Sequence, residues 1–161
     1  MKISYLADTA DLVGQLVPGL LEHWRAVVPE DTAEARMQRF RAHMNRDVLP
    51  IAWLAHDGGQ AAGTASLRVS DLPGREELSP WLGGVYVAPA FRGRGIASAL
   101  CRTAERRAVE LGFDRLYLFT LDQRAFYERL GWQTVERAAW RGHDAELMAK
   151  WLEVPYQADP R

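Results

Sequence analysis

The sequence predicts a mixed α/β fold: one sheet of about seven strands, α+β in its pairing, with helices flanking it. Three observations carry the prediction. Short apolar runs of strand character alternate with segments of helical spacing along the chain. Two strand pairs are divided only by turn residues, Asp57-Gly58-Gly59 and Arg141-Gly142-His143-Asp144, and so read as hairpins. A strand around Val85-Tyr86-Val87 runs through a glycine-containing turn straight into a strong amphipathic helix, and a further strand comes after it.

In chain order, residues 2–7 read as the first strand, and Asp8 is placed to cap the helix after it. Leu12, Leu16, Leu20, Trp24 and Val27 recur at helical spacing, but Pro18 lacks a backbone donor and is expected to kink or split the run. Asp31 and Glu34 have capping-box spacing and open a second helix to about Asn45, whose surface carries Arg36, Arg39, Arg41 and Arg46. A hairpin over 51–69 comes next, then a polar loop over 71–80 and a buried strand over 81–87. The helix after the glycine turn aligns Ala97, Leu100, Cys101, Ala104, Ala108 and Leu111 on one stripe, and Gly112 is its natural stop. A strand over 115–121, a short helix over 123–130 ended by Gly131, and two last strands over 132–140 and 145–151 complete the order.

With 161 residues, no repeat and no long linker, the chain reads as one domain over 1–155 with a loose tail over 156–161. A net charge of −1 provides no global basic field for nucleic acid or anionic lipid, so neither is expected as a partner. No apolar stretch reaches the roughly 18 residues of a membrane span, and the N-terminus lacks the apolar run of a signal peptide. One cysteine, Cys101, allows no internal disulfide, so a cytoplasmic location is the default. The four histidines are scattered with no cysteine pair near them, and no metal site is expected.

The most informative segment is the run from Val85 to Ser98. A strand ends, Pro89 turns the chain, and Gly93 and Gly95 lead directly into a helix. That arrangement leaves backbone N–H groups unpaired at a helix N-terminus, where the dipole adds partial positive charge, and a phosphate or pyrophosphate fits there. Lacking Cβ atoms, the two glycines allow close approach. Arg92 and Arg94 can add charge-assisted bonds, and Ser98 a hydroxyl. A nucleotide P-loop requires Gly-Lys-Ser/Thr, whereas Ile96-Ala97 come after Gly95; a Rossmann fingerprint requires Gly or Ala where Ser98 stands.

Arg92-x-x-Gly95-x-Ala97 is similar to the acetyl-CoA signature of the GNAT acetyltransferase superfamily, Gln/Arg-x-x-Gly-x-Gly/Ala. The resemblance covers residues 3–152 in element order, and matches at motif level over 85–98 and 120–132. It implies a GNAT-like fold in which the central strands splay to form an acetyl-CoA cleft. It further implies that the amides of Gly93, Arg94, Gly95, Ile96, Ala97 and Ser98 hold the pyrophosphate. Val85 and Val87, flanking Tyr86, are implied to pair by backbone with the acetyl-pantetheine arm. Pro80-Trp81-Leu82 and Gly131-Trp132 also resemble a little-characterised bacterial group of the superfamily.

Ala125-Phe126-Tyr127-Glu128-Arg129-Leu130-Gly131-Trp132 resembles the second motif of that superfamily. An amine that attacks a thioester expels a thiolate, and a tyrosine hydroxyl near the sulfur can protonate it. Tyr127 occupies the position of that tyrosine. Many relatives carry Asn seven residues earlier to hold the pantetheine; here Thr120 stands there, with a shorter reach. The resemblance implies an enzyme that moves the acetyl group of acetyl-CoA to a primary amine of a small molecule or peptide in one ternary complex, releasing coenzyme A, with a homodimer as a possible assembly. The alternative is an acyl-CoA-binding regulatory module without turnover. No carboxylate stands at the start of the 81–87 strand, where some members place the base. Glu76, Glu77 and Asp71 are the nearest acids, and His23 is a further candidate.

Overall fold

In the computed structural model, which describes residues 1–153, a seven-stranded sheet organises the chain. Its spatial order is β1 (Lys2–Tyr5), β2 (Ile51–Asp57), β3 (Gln60–Arg68), β4 (Trp81–Val87), β5 (Arg115–Thr120), β7 (His143–Trp151) and β6 (Gln133–Trp140). The expected tail over 156–161 lies outside the described residues. Every neighbouring pair is antiparallel except β4 and β5, which run parallel. The β2–β3 hairpin closes through Gly58 and Gly59 at φ 54° and 81°, the left-handed pair that matches strand twist across a two-residue turn.

The N-terminal helical run is split, as Pro18 requires. A 3₁₀ turn over Val13–Leu16 leads into α1 (Val17–Trp24), with Pro18 in the first turn, where a missing N–H breaks no intrahelical bond. Two expected caps are corrected. Asp8 sits in a 3₁₀ turn and pairs with Arg46 instead of capping. The cap of α2 (Ala33–Ala42) is Thr32, whose hydroxyl accepts from the Ala35 amide at 3.1 Å. Asp31, one residue earlier, accepts from the Thr32 amide and grips Arg36 and Arg39.

The sheet has packed layers on both faces because neighbouring residues of β2 alternate between them. Trp53 and Ala55 pack under α3 (Ile96–Glu110), whereas Ala52 and Leu54 pack under α1. α3 buries Ile96, Leu100, Cys101, Ala104 and Ala108, the expected stripe, and stops before Gly112 at φ 93°. A fully buried leucine such as Leu100 contributes about 1.5–3 kcal/mol by leaving water. A third cluster, Leu72, Trp81, Tyr117, Leu147 and Ala149, ties the 69–80 loop onto β5 and β7.

Two departures from a regular sheet open the centre. β4 and β5 are in register only at Trp81 and Tyr117. Beyond that point β4 follows β3 out to the pair Val87–Gly63, while β5 follows β7 out to Thr120–Glu146. The strands therefore diverge, and the facing backbone edges lose each other. Within β4, Thr64 pairs Tyr86 and Ser66 pairs Gly83, so Gly84 and Val85 together oppose Ala65. Gly84 takes φ 60°, a bulge that bends the strand away.

Candidate active site

A cavity of about 290 Å³ fills the divergence. Gly83, Gly84, Val85 and Tyr86 line it from β4, and Leu118, Phe119 and Thr120 from β5. α1 contributes His23 and Trp24, and α2 contributes Arg36, Arg39 and Phe40. Asp122, Gln123, Tyr127 and Trp140 enclose the opposite side. Of the residues the sequence singles out, Val85, Tyr86, Thr120, Tyr127, His23 and Asp71 meet at this cavity, whereas Val87 and the run from Arg92 to Ser98 are not part of its lining.

The glycine turn begins where β4 ends. A short 3₁₀ turn over Pro89–Phe91 precedes Gly93 and Gly95, at φ 77° and 76°. Gly95 is the N-cap of α3, and no side chain caps that helix. Among the described residues, none of the amides from Gly93 to Ser98 donates a hydrogen bond within the chain. A Cβ built on either glycine meets nothing within 4 Å. Both glycines are thus there for their backbone conformation, and open space lies in front of the orphan donors. A 15-residue helix aims its positive end at that space. The fit to a pyrophosphate is good. Ile96 turns its side chain into the core and offers only its amide; Ala97 and Ser98 are half-buried. Arg92 is exposed and donates from Nε to the Val87 carbonyl at 2.9 Å, while the Arg94 guanidinium rests on the Phe91 ring. Val87 keeps its pairing with β3, and beyond the bulge its other edge has no strand beside it.

Tyr127 lies on α4 (Arg124–Arg129), wedged edge-on between Phe126 and Trp132 at centroid distances of 5.0 and 6.2 Å. Its ring is buried, and among the described residues its hydroxyl has no partner. Burial, then the neighbouring Cys101 and Asp122, pushes the phenol well above its ordinary pKa, so it keeps its proton. Thr120 is buried, and its oxygen accepts from the Gln123 amide at 2.9 Å, which leaves its O–H free to donate. Cys101 stands behind Tyr127 in the core, its thiol pushed up to about 12 by burial and by Glu105.

The acids of the 71–80 loop do not reach the cavity as free carboxylates. Glu77 is held by Arg75, which also pairs with Glu136, and Glu76 accepts from the Gly74 amide. Asp71 lines the cavity but is bonded to Arg68 at 2.7 Å. His23 does reach it, stacked edge-on against Trp24 and Tyr86. Burial, then the charge of Arg92, lowers its pKa, which favours neutral imidazole. Gly19 of α1 is matched to Tyr86: a Cβ there would lie 2.3 Å from the phenol oxygen. Several lining residues escape a sequence reading, among them Arg68, Asp122 and His43. One signal was available for the bulge, since Gly83-Gly84 inside a strand pattern marks a bulge or a close approach.

A sequence model of the Acetyltransferase (GNAT) family matches residues 17–132, which contain both the glycine turn and Tyr127. The chain belongs to the GNAT acetyltransferase family. In sequence it is similar to the uncharacterized N-acetyltransferase YjgM of Escherichia coli (strain K12), 33% identical over 90 residues, covering 53% of each chain. It is also similar to N-acetyltransferase 8 of Mus musculus, 40% identical over 87 residues, covering 50% of this chain and 37% of that one. The matched region thus spans about half the length of the first of these relatives and just over a third of the second. Solved GNAT structures share the fold. Aminoglycoside 6′-acetyltransferase type Ii superposes with a TM-score of 0.71 at 24% identity, over 94% of this chain and 97% of that one. An aminoglycoside 6′-N-acetyltransferase complexed with coenzyme A gives 0.70 at 20% identity, over 99% and 100%. The yncA protein of Salmonella typhimurium with its cofactor acetyl-CoA gives 0.67 at 17% identity, over 100% and 99%. Acetyl-CoA is the cofactor this GNAT membership implies. No helix among the described residues is long and apolar enough to cross a membrane, and no group of three His, Cys, Asp or Glu there is placed to hold a metal.

Proposed function

We propose that the chain transfers the acetyl group of acetyl-CoA to a primary amine of a small molecule or peptide, by direct attack in a ternary complex. One observation carries the reading: β4 parts from β5 to leave a cavity lined by a protonated, unpartnered Tyr127, and the chain leaving β4 leads into a row of unpaired amides at the N-terminus of α3. The amides of Gly93 to Ser98 would hold the pyrophosphate, with Arg92 and Arg94 beside them. The free edge of β4 at Val85 and Val87, and the Thr120 hydroxyl, would hold the pantetheine arm. When bound, acetyl-CoA supplies the activated thioester. The chain's own part is to place and move protons. His23 takes the proton of the acceptor ammonium, because its lowered pKa keeps it neutral at neutral pH. The bulged backbone near Val85 offers an N–H where negative charge develops. Tyr127 holds a proton ready for the departing sulfur. Solved structures named as aminoglycoside acetyltransferases share this fold, which supports a small-molecule amine as acceptor. A homodimer belongs to the same reading, with the exposed edge strand β6 as its first candidate surface.

The test has two parts. Acetyl-CoA raises the Tm of the wild-type chain, since a ligand of the native state stabilises it by mass action. Gly95→Asp places a negative side chain in the open space before the orphan amides and removes that protection. Amine-dependent release of coenzyme A thiol then separates an enzyme from a binding module. A Gly95→Asp chain that still gains full protection, or a wild type that releases no thiol with any amine, overturns the reading.

A further inference from the structure

Apart from Arg141, which is paired with Glu30, the charged residues of the cavity lining fall into two groups. The first is Asp122, whose charge acts on both Tyr127 and His23. The second is Arg36, Arg39 and Arg68, with His43 beside them. Arg68 is locked in place. Its Nε donates to the Ser66 hydroxyl at 2.9 Å, and its Nη1 to Asp71 at 2.7 Å. Its remaining nitrogen, Nη2, lies against the Gly84 bulge, 2.5 Å from where a Cβ would sit, and has no partner among the described residues. Arg36 shares the single carboxylate of Asp31 with Arg39, and its Nε is buried without an acceptor. His43 gives its Nδ1–H to the Arg39 carbonyl at 2.6 Å; burial, then the charge of Arg68, lowers its pKa, so the ring is neutral and its buried Nε2 is an acceptor that takes no part in binding an anion. Arg68 and Arg36 thus line the cavity with guanidinium nitrogens that have no acceptor of their own among the described residues, and such groups suit an anion.

We infer that Arg68 and Arg36 bind a carboxylate carried by the acceptor, so that the substrate class is an amino acid or another amino-carboxylate. The inference rests on the acetyl-transfer reading above and gives the acceptor its orientation. The ammonium lies toward Asp122 and His23, and the carboxylate toward the guanidinium groups. A guanidinium already fixed by Ser66 and Asp71 loses little freedom on binding, and its fork suits a planar anion. A cavity of about 290 Å³ that also receives the acetyl end leaves room for a small acceptor. A polycation is disfavoured, because Asp71 is committed to Arg68 and Asp31 to Arg36 and Arg39.

The experiment is a thiol-release assay with three matched panels: the standard amino acids, their α-carboxamides, and the amines left by removing the carboxyl group. An aminoglycoside and a polyamine serve as cationic competitors. For at least one amino acid, kcat/KM is expected to exceed that of its carboxamide and its decarboxylated amine by about ten- to a hundredfold, the worth of a charge-assisted bond. In Arg36→Gln and Arg68→Lys, that ratio is expected to fall toward one, with the thermal protection given by acetyl-CoA confirming that each variant is folded. Turnover of amides, amines or cationic competitors in preference to every acid overturns the inference and leaves acetyl transfer standing. A ratio unchanged in both folded variants overturns it as well. Loss of acetyl-CoA protection in the wild type would instead sink the acetyl-transfer reading itself.

Discussion

Replacing Tyr127 by phenylalanine removes a single oxygen, and the structure sets what that oxygen is worth. The ring stays between Phe126 and Trp132, so core packing is retained. The hydroxyl has no partner among the described residues, so no internal hydrogen bond is broken and the change in stability is held below about 1 kcal/mol. No contact of the glycine turn changes, so acetyl-CoA affinity is expected to stay within about threefold. The rate is different. General-acid assistance is worth about 10²–10⁴-fold, or about 2.7–5.4 kcal/mol of barrier at 1.36 kcal/mol per factor of ten. The phenol is raised by burial, so in the wild type it supplies a proton throughout the neutral and mildly alkaline range. The assay is thiol release at saturating acetyl-CoA, with the cofactor Kd measured separately by calorimetry. Loss of kcat with Kd kept supports the acid role. A Kd that collapses while kcat per bound complex survives would show that Tyr127 is only a wall of the cavity, and the reasoning would fail.

Three further outcomes are expected. In Gly19→Ala the new Cβ would lie 2.3 Å from the Tyr86 oxygen, so Tyr86 must shift; a loss of about 1–3 kcal/mol in urea unfolding is expected, and an unchanged midpoint would refute the packing. Cys101 is fully buried with its thiol pushed up to about 12, so it should resist a thiol reagent until the chain unfolds, and Cys101→Ala should keep turnover; a folded but inactive Cys101→Ala would indicate an acyl-enzyme. Because burial and Arg92 lower the pKa of His23, its basic form already predominates at about pH 6.5 and is lost as pH falls through the lowered value. kcat/KM should therefore rise with pH along a limb centred below 6.5, and His23→Gln should remove that limb; an identical profile in the variant would take the base role away from His23.

Local signals in the sequence were enough for most elements. Periodicity located β2, β3, β4, α3 and β5 to within a residue or two, because each has an apolar pattern closed by glycine or proline. The split before α1 followed from Pro18 alone. The caps of the N-terminal region went astray where several short polar residues competed. Asp31 and Thr32 are both good cap residues, and the one that capped was the one whose neighbour could be used by two arginines instead. The glycine turn and Tyr127 were legible because their chemistry lies within one stretch of chain.

The rest of the site was decided in three dimensions. Nothing in β4 or β5 alone says that the two strands part after one register pair, since that depends on which neighbour each strand follows. The charge of the cavity was hidden for the same reason. Glu76 and Glu77 stand near β4 in sequence but are drawn off by Arg75 and the Gly74 amide. Arg36 and His43 of the α2 segment meet Arg68 of β3 because the two segments line the same cavity. A motif can specify a turn that binds phosphate, because backbone amides and glycine conformations are local properties. The sign of the field at the acceptor end depends on which ions neutralise each other across the fold, and only the tertiary arrangement settles those pairings.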